Sequence, residues 1–281
     1  MKRLRIEHAT GFTYPGEVSA SYNEARMLPG STDSQFVLSS QLDVEPATNV
    51  HQYVDYFGTR VAAFDVLAAH AALSITARSL VEVRSRPLAH SAMGWDVLAR
   101  EAGRAVATVE MMGQTPRTEP HGEVAEIARG IAGAHENPSR AAVAIAEAVR
   151  GAVEYMHGIT GVHSTAAEAW TEGKGVCQDI AHITLGAMRA VGIPARYVSG
   201  YLHPIAEPEV GVPVTGESHA WVEWFAGRWE AFDPTNGIEI GDRHVLVGRG
   251  RDYNDVPPLR GVYAGPHNSQ LHVEVTITRE A

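Results

Sequence analysis

The chain has 281 residues, 44% apolar and 20% charged, which suits a folded chain of one large or two ordinary domains. Its 23 basic and 33 acidic residues leave a formal charge of −10, so there is no electrostatic basis for gripping nucleic acid or an anionic membrane surface. No run approaches the ~18 apolar residues that cross a bilayer. No apolar segment follows the basic start as in a signal peptide, and a single cysteine forms neither an intrachain disulfide nor a multi-cysteine zinc site; the expected setting is the cytoplasm, with no membrane partner.

Residues 1–85 read as β-rich. Extended segments are predicted at 4–13, 17–19, 36–39 and 41–44. A hairpin follows, 50–57 and 60–66, turning at Gly58-Thr59. Residues 71–83 alternate again, with Leu73, Ile75 and Ala77 in one register and Leu80, Val81 and Val83 one residue later. Short strands at close spacing suggest a sandwich-like module. Asn23-Glu24-Ala25-Arg26 reads as a salt-bridged turn. Residues 86–120 read as a helical linker or crossover, with a helix from Trp95 whose apolar side is Val97, Leu98, Val106 and Val109.

Helical periodicity dominates from about 121. Residues 123–132 form one helix. Asn137-Pro138 opens a second, with Ala141, Ile145, Ala148, Val149 and Val153 as its buried stripe. Thr165 and Glu168 have the spacing of a capping box. A glycine-punctuated loop, Gly173-Lys174-Gly175, leads into a helix from Cys177 that stops at Gly192 and Pro194. Strands are predicted at 196–202, 218–225, 228–232 and 271–278, with 204–216 and the stretch after Asp233 as loops. The domains are thus expected at 1–85, 86–120 and 121–281.

Cys177 draws attention by position. Helix N-termini carry unpaired N–H groups and partial positive charge, which favour a thiolate and hold an oxyanion. A thiolate catalyst needs a base oriented by a third group. His219 lies on a predicted strand and Asp233 follows 14 residues later, past the Ala226-Gly227 turn. Pairing across that turn sets Glu230, Ala231 and Phe232 opposite Glu223, Val222 and Trp221, and brings Asp233 beside His219. A one-residue slip would turn one side chain to the other face. Taken singly, a lone cysteine is a buried small hydrophobe, a lone histidine is structural, and Asp-Pro-Thr-Asn is a turn. A metal site from His157, His163 and His182 matches no compact ligand spacing, so no metal is expected.

Gly175-Val176-Cys177-Gln178-Asp179-Ile180-Ala181-His182, Gly192 to Tyr201, Ser218 to Glu223 and Phe232 to Asn236 occur in that order. Together they resemble the bacterial transglutaminase-like superfamily. Tyr22 to Arg26 and Asp55 to Gly58 resemble the β-rich domain that precedes its core. The resemblance implies an α+β fold, a papain-like core behind an all-β sandwich-like N-terminal domain. It also implies a Cys177–His219–Asp233 triad that forms a thioester acyl-enzyme on amide or isopeptide bonds of a peptide or protein, without a cofactor. Eukaryotic cross-linkers of the superfamily carry Gln before the nucleophile and Trp after it, where this chain has Val176 and Gln178. Hydrolysis is therefore expected over transamidation, with a non-catalytic binding module as the remaining alternative. The Cys177 N–H is the first oxyanion donor considered, with Gln178, Trp170 and His163 behind it. Asp179 and His182 are assigned supporting roles, and Trp221 and Tyr201 are candidates to line the acyl channel.

Overall fold

The computed structural model describes residues 1–156, 161, 163–266 and 268–281. Six strands come first: β1 (Lys2–Val18), β2 (Ala20–Ala25), β3 (Gln35–Glu45), β4 (Val50–Val54), β5 (Arg60–Val66) and β6 (His70–Val83). Two expectations change here. The expected ion pair is made, Arg26 to Glu24 at 3.1 Å, but Asn23-Glu24-Ala25 is not a turn: it ends β2, whose inward positions are Ser21, Asn23 and Ala25. The inward polar pair hid the strand, and Asn23 Nδ2 satisfies itself by donating to Ser21 Oγ at 3.2 Å. Strand β6 makes no register switch. Leu73, Ile75, Ala77, Ser79, Val81 and Val83 face inward without a break, because Ser79 takes a core position and Leu80 turns outward. The irregularity lies instead in its partner β3, between Val37 and Ser39.

The helices follow: α1 (Trp95–Ala102), α2 (Val106–Val109), α3 (Gly122–Ala134) and α4 (Pro138–Ala152). The expected single apolar side over 97–109 breaks up, since Gly103 ends α1. Leu98 is buried, whereas Val97, Val106 and Val109 are exposed. Asn137 caps α4 by accepting the Arg140 N–H at 3.1 Å. Then come β7 (Glu154–Tyr155), α5 (Ala166–Glu172), β8 (Lys174–Gly175) and α6 (Cys177–Ala190). The Thr165–Glu168 capping box is formed in both directions. Helix α6 is buried all round from Gln178 to Arg189, the signature of a central helix. It packs against α3, α4 and α5 and against two strands of the core sheet. The crossover at 115–120 lies so close that a β-carbon at Gly186 would stand 2.1 Å from the Thr118 carbonyl oxygen. Arg189 ties the same contact. Its guanidinium donates to the carbonyls of Met111, Ala195 and Arg251 and to Thr118 Oγ1.

The remaining strands are β9 (Ala195–Leu202), β10 (Pro213–Gly216), β11 (Ser218–Phe225), β12 (Trp229–Asp233), β13 (Ile238–Glu239), β14 (His244–Gly250), β15 (Leu259–Ala264) and β16 (Gln270–Arg279). Strands β10, β13, β14 and β15 fall in stretches expected as loops, where Pro, Gly and charged residues interrupt the alternation. The core sheet has the order β13-β12-β11-β9-β14. The other two large sheets, β10-β16-β1-β6-β3 and β15-β2-β5-β4, draw on both ends of the chain. The stretch expected as a 121–281 core therefore yields β10, β15 and β16 to the N-terminal sheets, since β16 pairs with β1 from Leu4↔Arg279 to Thr13↔Gln270 and β15 pairs with β2.

One apolar cluster joins the two parts: Leu4, Ile6, Val81, Val83, Val275 and Ile277 from the outer sheet meet Tyr201, Val245 and Val247 from the core sheet. Gln35 reinforces it as a strand mimic. Its Nε2 donates to the Leu246 carbonyl and its Oε1 accepts the Leu246 N–H, both at 2.8 Å. Behind the site, Glu223 on β11 is held by Arg196 and Arg249, and Arg196 lies 3.8 Å over the Trp229 ring. Burial alone would raise the Glu223 carboxyl, but the two guanidinium charges and their hydrogen bonds hold it at about 2.

Candidate active site

Cys177 is the first residue of α6, half-buried, at the end of a two-strand parallel pair in which Tyr155 lies opposite Gly175. Asp179, fully buried, reaches back so that its Oδ2 accepts the Val176 N–H at 2.9 Å. This is one half of a capping box, and it fixes the chain just before the thiol. Gly175 gives it room, because a β-carbon there would stand 2.8 Å from Asp179 Cβ. Asp179 is thus a support for the position of Cys177.

His219 and Asp233 come together from the two strands of the hairpin. The pairing is one residue away from the expected one, with Phe232 opposite Val222 and Ala231 opposite Glu223. Continued by one residue, that register sets Asp233 across from Trp221, which shares its face with His219. The true register, rather than the expected one, lets the two side chains meet. His219 Nε2 donates to Asp233 Oδ2 at 2.7 Å. Cys177 shares a cavity wall with His219 and is close enough for its thiol to act on the imidazole. Burial would lower the imidazole. The hydrogen bonds to Asp233 and Cys177 and the charges of both outweigh it and raise His219 to about 10. Asp233 is fully buried and strongly depressed. Its burial works against ionisation, but the hydrogen bonds from His219, His244 and Asn236 prevail.

Asn236 and His244 were not assigned a role from sequence. Asn236 belongs to the Phe232–Asn236 motif, and its Nδ2 donates to Asp233 Oδ2 at 2.8 Å. The backbone N–H groups of Thr235 and Asn236 donate to Oδ1, each at 3.0 Å. His244 opens β14, and its Nε2 stands 3.3 Å from Asp233 Oδ2. The apolar run Val245-Leu246-Val247, with two β-branched valines, is the available signal for its strand. His219, Asp233 and His244 present ligand-type atoms within 4.8 Å of one another. The 2.7 Å contact is the length of a proton-bridged pair, shorter than the span of two ligands around a metal ion.

The other candidates separate clearly. Gln178 is buried, lines the cavity with Cys177, and its Nε2 finds no partner among the described residues. Trp170 donates its indole N–H to Glu123 Oε2 at 3.0 Å, which removes it from the oxyanion donors. His163 is exposed beside Arg117. His182 lies in the core with its ring 5.2 Å from Tyr197, and its Nε2 accepts the Tyr253 N–H. Burial first, then Arg117 and Arg189, lower it to about 3. His157, weighed with these two as a metal ligand, lies outside the described residues. Trp221 packs behind the site against His219 and His244, so it backs the imidazole rather than lining the acyl channel. Tyr201 is also off the channel. It sits between the two parts of the molecule, donating to the Met27 carbonyl at 3.1 Å and meeting His8 Nδ1 at 2.9 Å.

Two lobes of one cleft meet at His219. A cavity of about 390 Å³ contains Cys177 and is walled by Gln178, Tyr197, Tyr253 and, from β16, Val273 and Val275. A second of about 660 Å³ extends past Asn236 and Arg243. Both include Tyr155, Gly216, Glu217, Ser218 and His219. The outer β module therefore supplies part of the wall beside the thiol.

Comparison with known proteins places this arrangement. Residues 4–82 match the family model of the bacterial transglutaminase-like N-terminal region, and residues 125–234 match that of the transglutaminase-like superfamily. The uncharacterized protein ML0607 of Mycobacterium leprae is 43% identical over the whole of both chains. The uncharacterized protein Rv2569c of Mycobacterium tuberculosis is 31% identical over 98% of this chain and 92% of its own. In fold, a crystal structure described as "a Putative Cysteine Protease" from Cytophaga hutchinsonii superposes with a TM-score of 0.74, at 20% identity, over 99% of this chain and 97% of that one. With both of its parts matched and full-length relatives above 30% identity, the chain belongs to the transglutaminase-like superfamily.

Proposed function

We propose that the protein is a thiol acyl-transfer enzyme that hydrolyses amide or isopeptide bonds of a peptide or protein. The observation that carries this reading is His219, bonded to the buried Asp233 at 2.7 Å and facing the same cavity as Cys177. The Cys177 thiol gives its proton to His219, and Sγ attacks the carbonyl carbon. The negative oxygen that develops is held by the Cys177 N–H at the start of α6, with Gln178 Nε2 as the side-chain donor. The C–N bond then breaks, and His219 gives its proton to the departing amine. Water entering the same place loses a proton to His219 and attacks the thioester, and Cys177 is released with the carboxylic acid. Asp233 keeps the imidazole oriented and stabilises its charged form without itself changing protonation.

An amine in place of water would give transamidation through the same thioester. Val176 and Gln178, beside the nucleophile, favour hydrolysis on the resemblance argument. Within the described residues no helix is long and apolar enough to cross a membrane. The proposal of a cytoplasmic setting rests on the lone thiol, which such a compartment keeps reduced. Cell fractionation would refute it by finding the protein outside the cytosol.

The test is acylation by p-nitrophenyl acetate followed by acid quench and peptide mass spectrometry. The acetyl group is expected on Cys177, lost in Cys177→Ala and strongly slowed in His219→Ala. An adduct elsewhere, or an unchanged rate without His219, would sink the proposal. Adding a primary alkylamine separates the two outcomes for the acyl group, since a transamidase passes it to the amine in preference to water.

A further inference from the structure

Asp233 accepts five hydrogen bonds, two on Oδ1 and three on Oδ2. Four are accounted for by the His219 pair and by the turn that follows the aspartate. The fifth comes from His244, a buried side chain on a different strand, to which the reaction assigns nothing. Its protonation is fixed by its surroundings. His244 Nδ1 accepts the Gly241 N–H at 3.2 Å, so that nitrogen carries no proton, and the hydrogen sits on Nε2 facing Asp233. The ring is edge-on to Trp221, with centroids 5.5 Å apart, and its centroid lies 6.3 Å from that of His219.

We propose that His244 is a positioning residue for the relay: an Nε2–H donor that shares the charge of Asp233 with His219, so that His219 can release a proton as well as hold one. This rests on the acyl-transfer reading of Cys177, His219 and Asp233. A carboxylate devoted wholly to one imidazole makes that imidazole a strong base and a poor acid, and acylation needs the acid. A further donor on the oxygen that already takes His219 at 2.7 Å and Asn236 Nδ2 at 2.8 Å, His244 at 3.3 Å draws off more of that negative charge without competing for the place. Neutrality is essential, because a second cation would compete with His219 for the carboxylate. Burial, the largest influence, and the charges of His219 and Arg243 lower His244, while Asp233 works the other way, and the net direction is down. Behind the ring, a pocket of about 150 Å³ carries Arg84, Arg86, Arg228, Glu230 and the Glu223–Arg249 pair; Arg196 is the other partner of Glu223.

The experiment compares wild type with His244→Leu and His244→Gln. Glutamine retains an N–H that reaches Asp233, and leucine has none. Two readouts are used: ¹⁵N NMR titration of the His219 ring, and the pH dependence of Cys177 alkylation by iodoacetamide. In His244→Leu, both the His219 titration and the alkaline step of alkylation move to higher pH, by roughly half to one unit, as befits one long hydrogen bond to a charged group. Glutamine stays near wild type. Equal shifts in both variants, or no shift in leucine, overturn the proposal. Should the leucine variant fail to fold, ¹⁵N spectra of the wild type decide: His244 must be the neutral Nε2–H tautomer at pH 7 and above, and an Nδ1–H form or a charged ring there refutes it. Neither readout needs turnover, so an absent acyl adduct on Cys177 would defeat the function without touching this result.

Discussion

Gly175→Ala should impair both folding and reactivity, for a reason visible in three residues. The new β-carbon would stand 2.8 Å from Asp179 Cβ and 2.9 Å from its Oδ2. Carbon atoms rest at about 3.5–4.0 Å, so roughly 1 Å of relief is needed. The atom in the way is a β-carbon tied to the first turn of α6, so a change of side-chain torsion does not clear it. Either the Lys174–Gly175 strand or the start of the helix must move, and the 2.9 Å bond from the Val176 N–H to Asp179 is strained or lost. Overpacking of this kind costs about 1–3 kcal/mol, and a hydrogen bond to a charged group adds about 1.5–3 kcal/mol if broken. Urea unfolding is expected to show a loss of about 1–3 kcal/mol if the bond survives and about 2.5–6 kcal/mol if it breaks. Because the shift falls on the residues flanking Cys177, acetylation by p-nitrophenyl acetate should slow by about 10²-fold, the penalty of a 1 Å misplacement. A Gly175→Ala protein with wild-type stability and acylation rate would show that Asp179 does not hold the thiol in place.

Other perturbations read different parts of the molecule. Glu223→Gln leaves Arg196 and Arg249 without their buried carboxylate and should cost about 3–5 kcal/mol at pH 7 in urea unfolding. Since Glu223 is held at about 2, below its ordinary 4.5, that contribution is complete above pH 4.5 and disappears as pH falls toward 2. A difference between the two proteins that stayed constant down to pH 2 would contradict the assignment. Asp233→Asn should slow acylation by about 10²–10⁴-fold. It should also bring the alkaline step of Cys177 alkylation down by several pH units from about 10, because His219 loses its carboxylate; an unmoved step would mean that another group titrates. Trp170→Phe should leave acylation within about twofold, as the indole N–H is engaged by Glu123, and a loss near the 10²-fold typical of an oxyanion donor would reinstate it. Tyr201→Phe should lower stability by about 1–2 kcal/mol through the lost Met27 and His8 contacts, and acylation should hold.

The parts that were legible from sequence are those where local chemistry and tertiary structure agree. The capping box at Thr165, the Asn137-Pro138 helix start and the glycine loop before Cys177 are all local signals, and each appears where it was expected. His219 and Asp233 were placed together by a hairpin argument whose conclusion stood although its register was one residue off. What escaped depended on distant partners. His244 became visible only with β14, which is held by β9 and by the Gln35 side chain from the other end of the chain. Strand β2 was masked by the inward Ser21 and Asn23, which satisfy one another. Trp221 and Tyr201 are aromatic in the right motifs, but their faces are decided by what lies behind the sheet, and no spacing encodes that.

Strand β16 has a double existence. Its far end is laced to the opposite terminus, with the Arg3 N–H bonded to the Ala281 carbonyl and the Glu280 N–H to the Arg3 carbonyl. Its middle presents Val273 and Val275 to the cavity that holds the thiol. In topology the part that carries Cys177, His219 and Asp233 is therefore a long excursion between strands of a single sheet, like a stone set in a ring whose clasp is the pairing of β1 with β16. Loosening the clasp, by a bulky C-terminal tag or by trimming the last strand, would open the wall of the cleft before it disturbed the helix that carries Cys177.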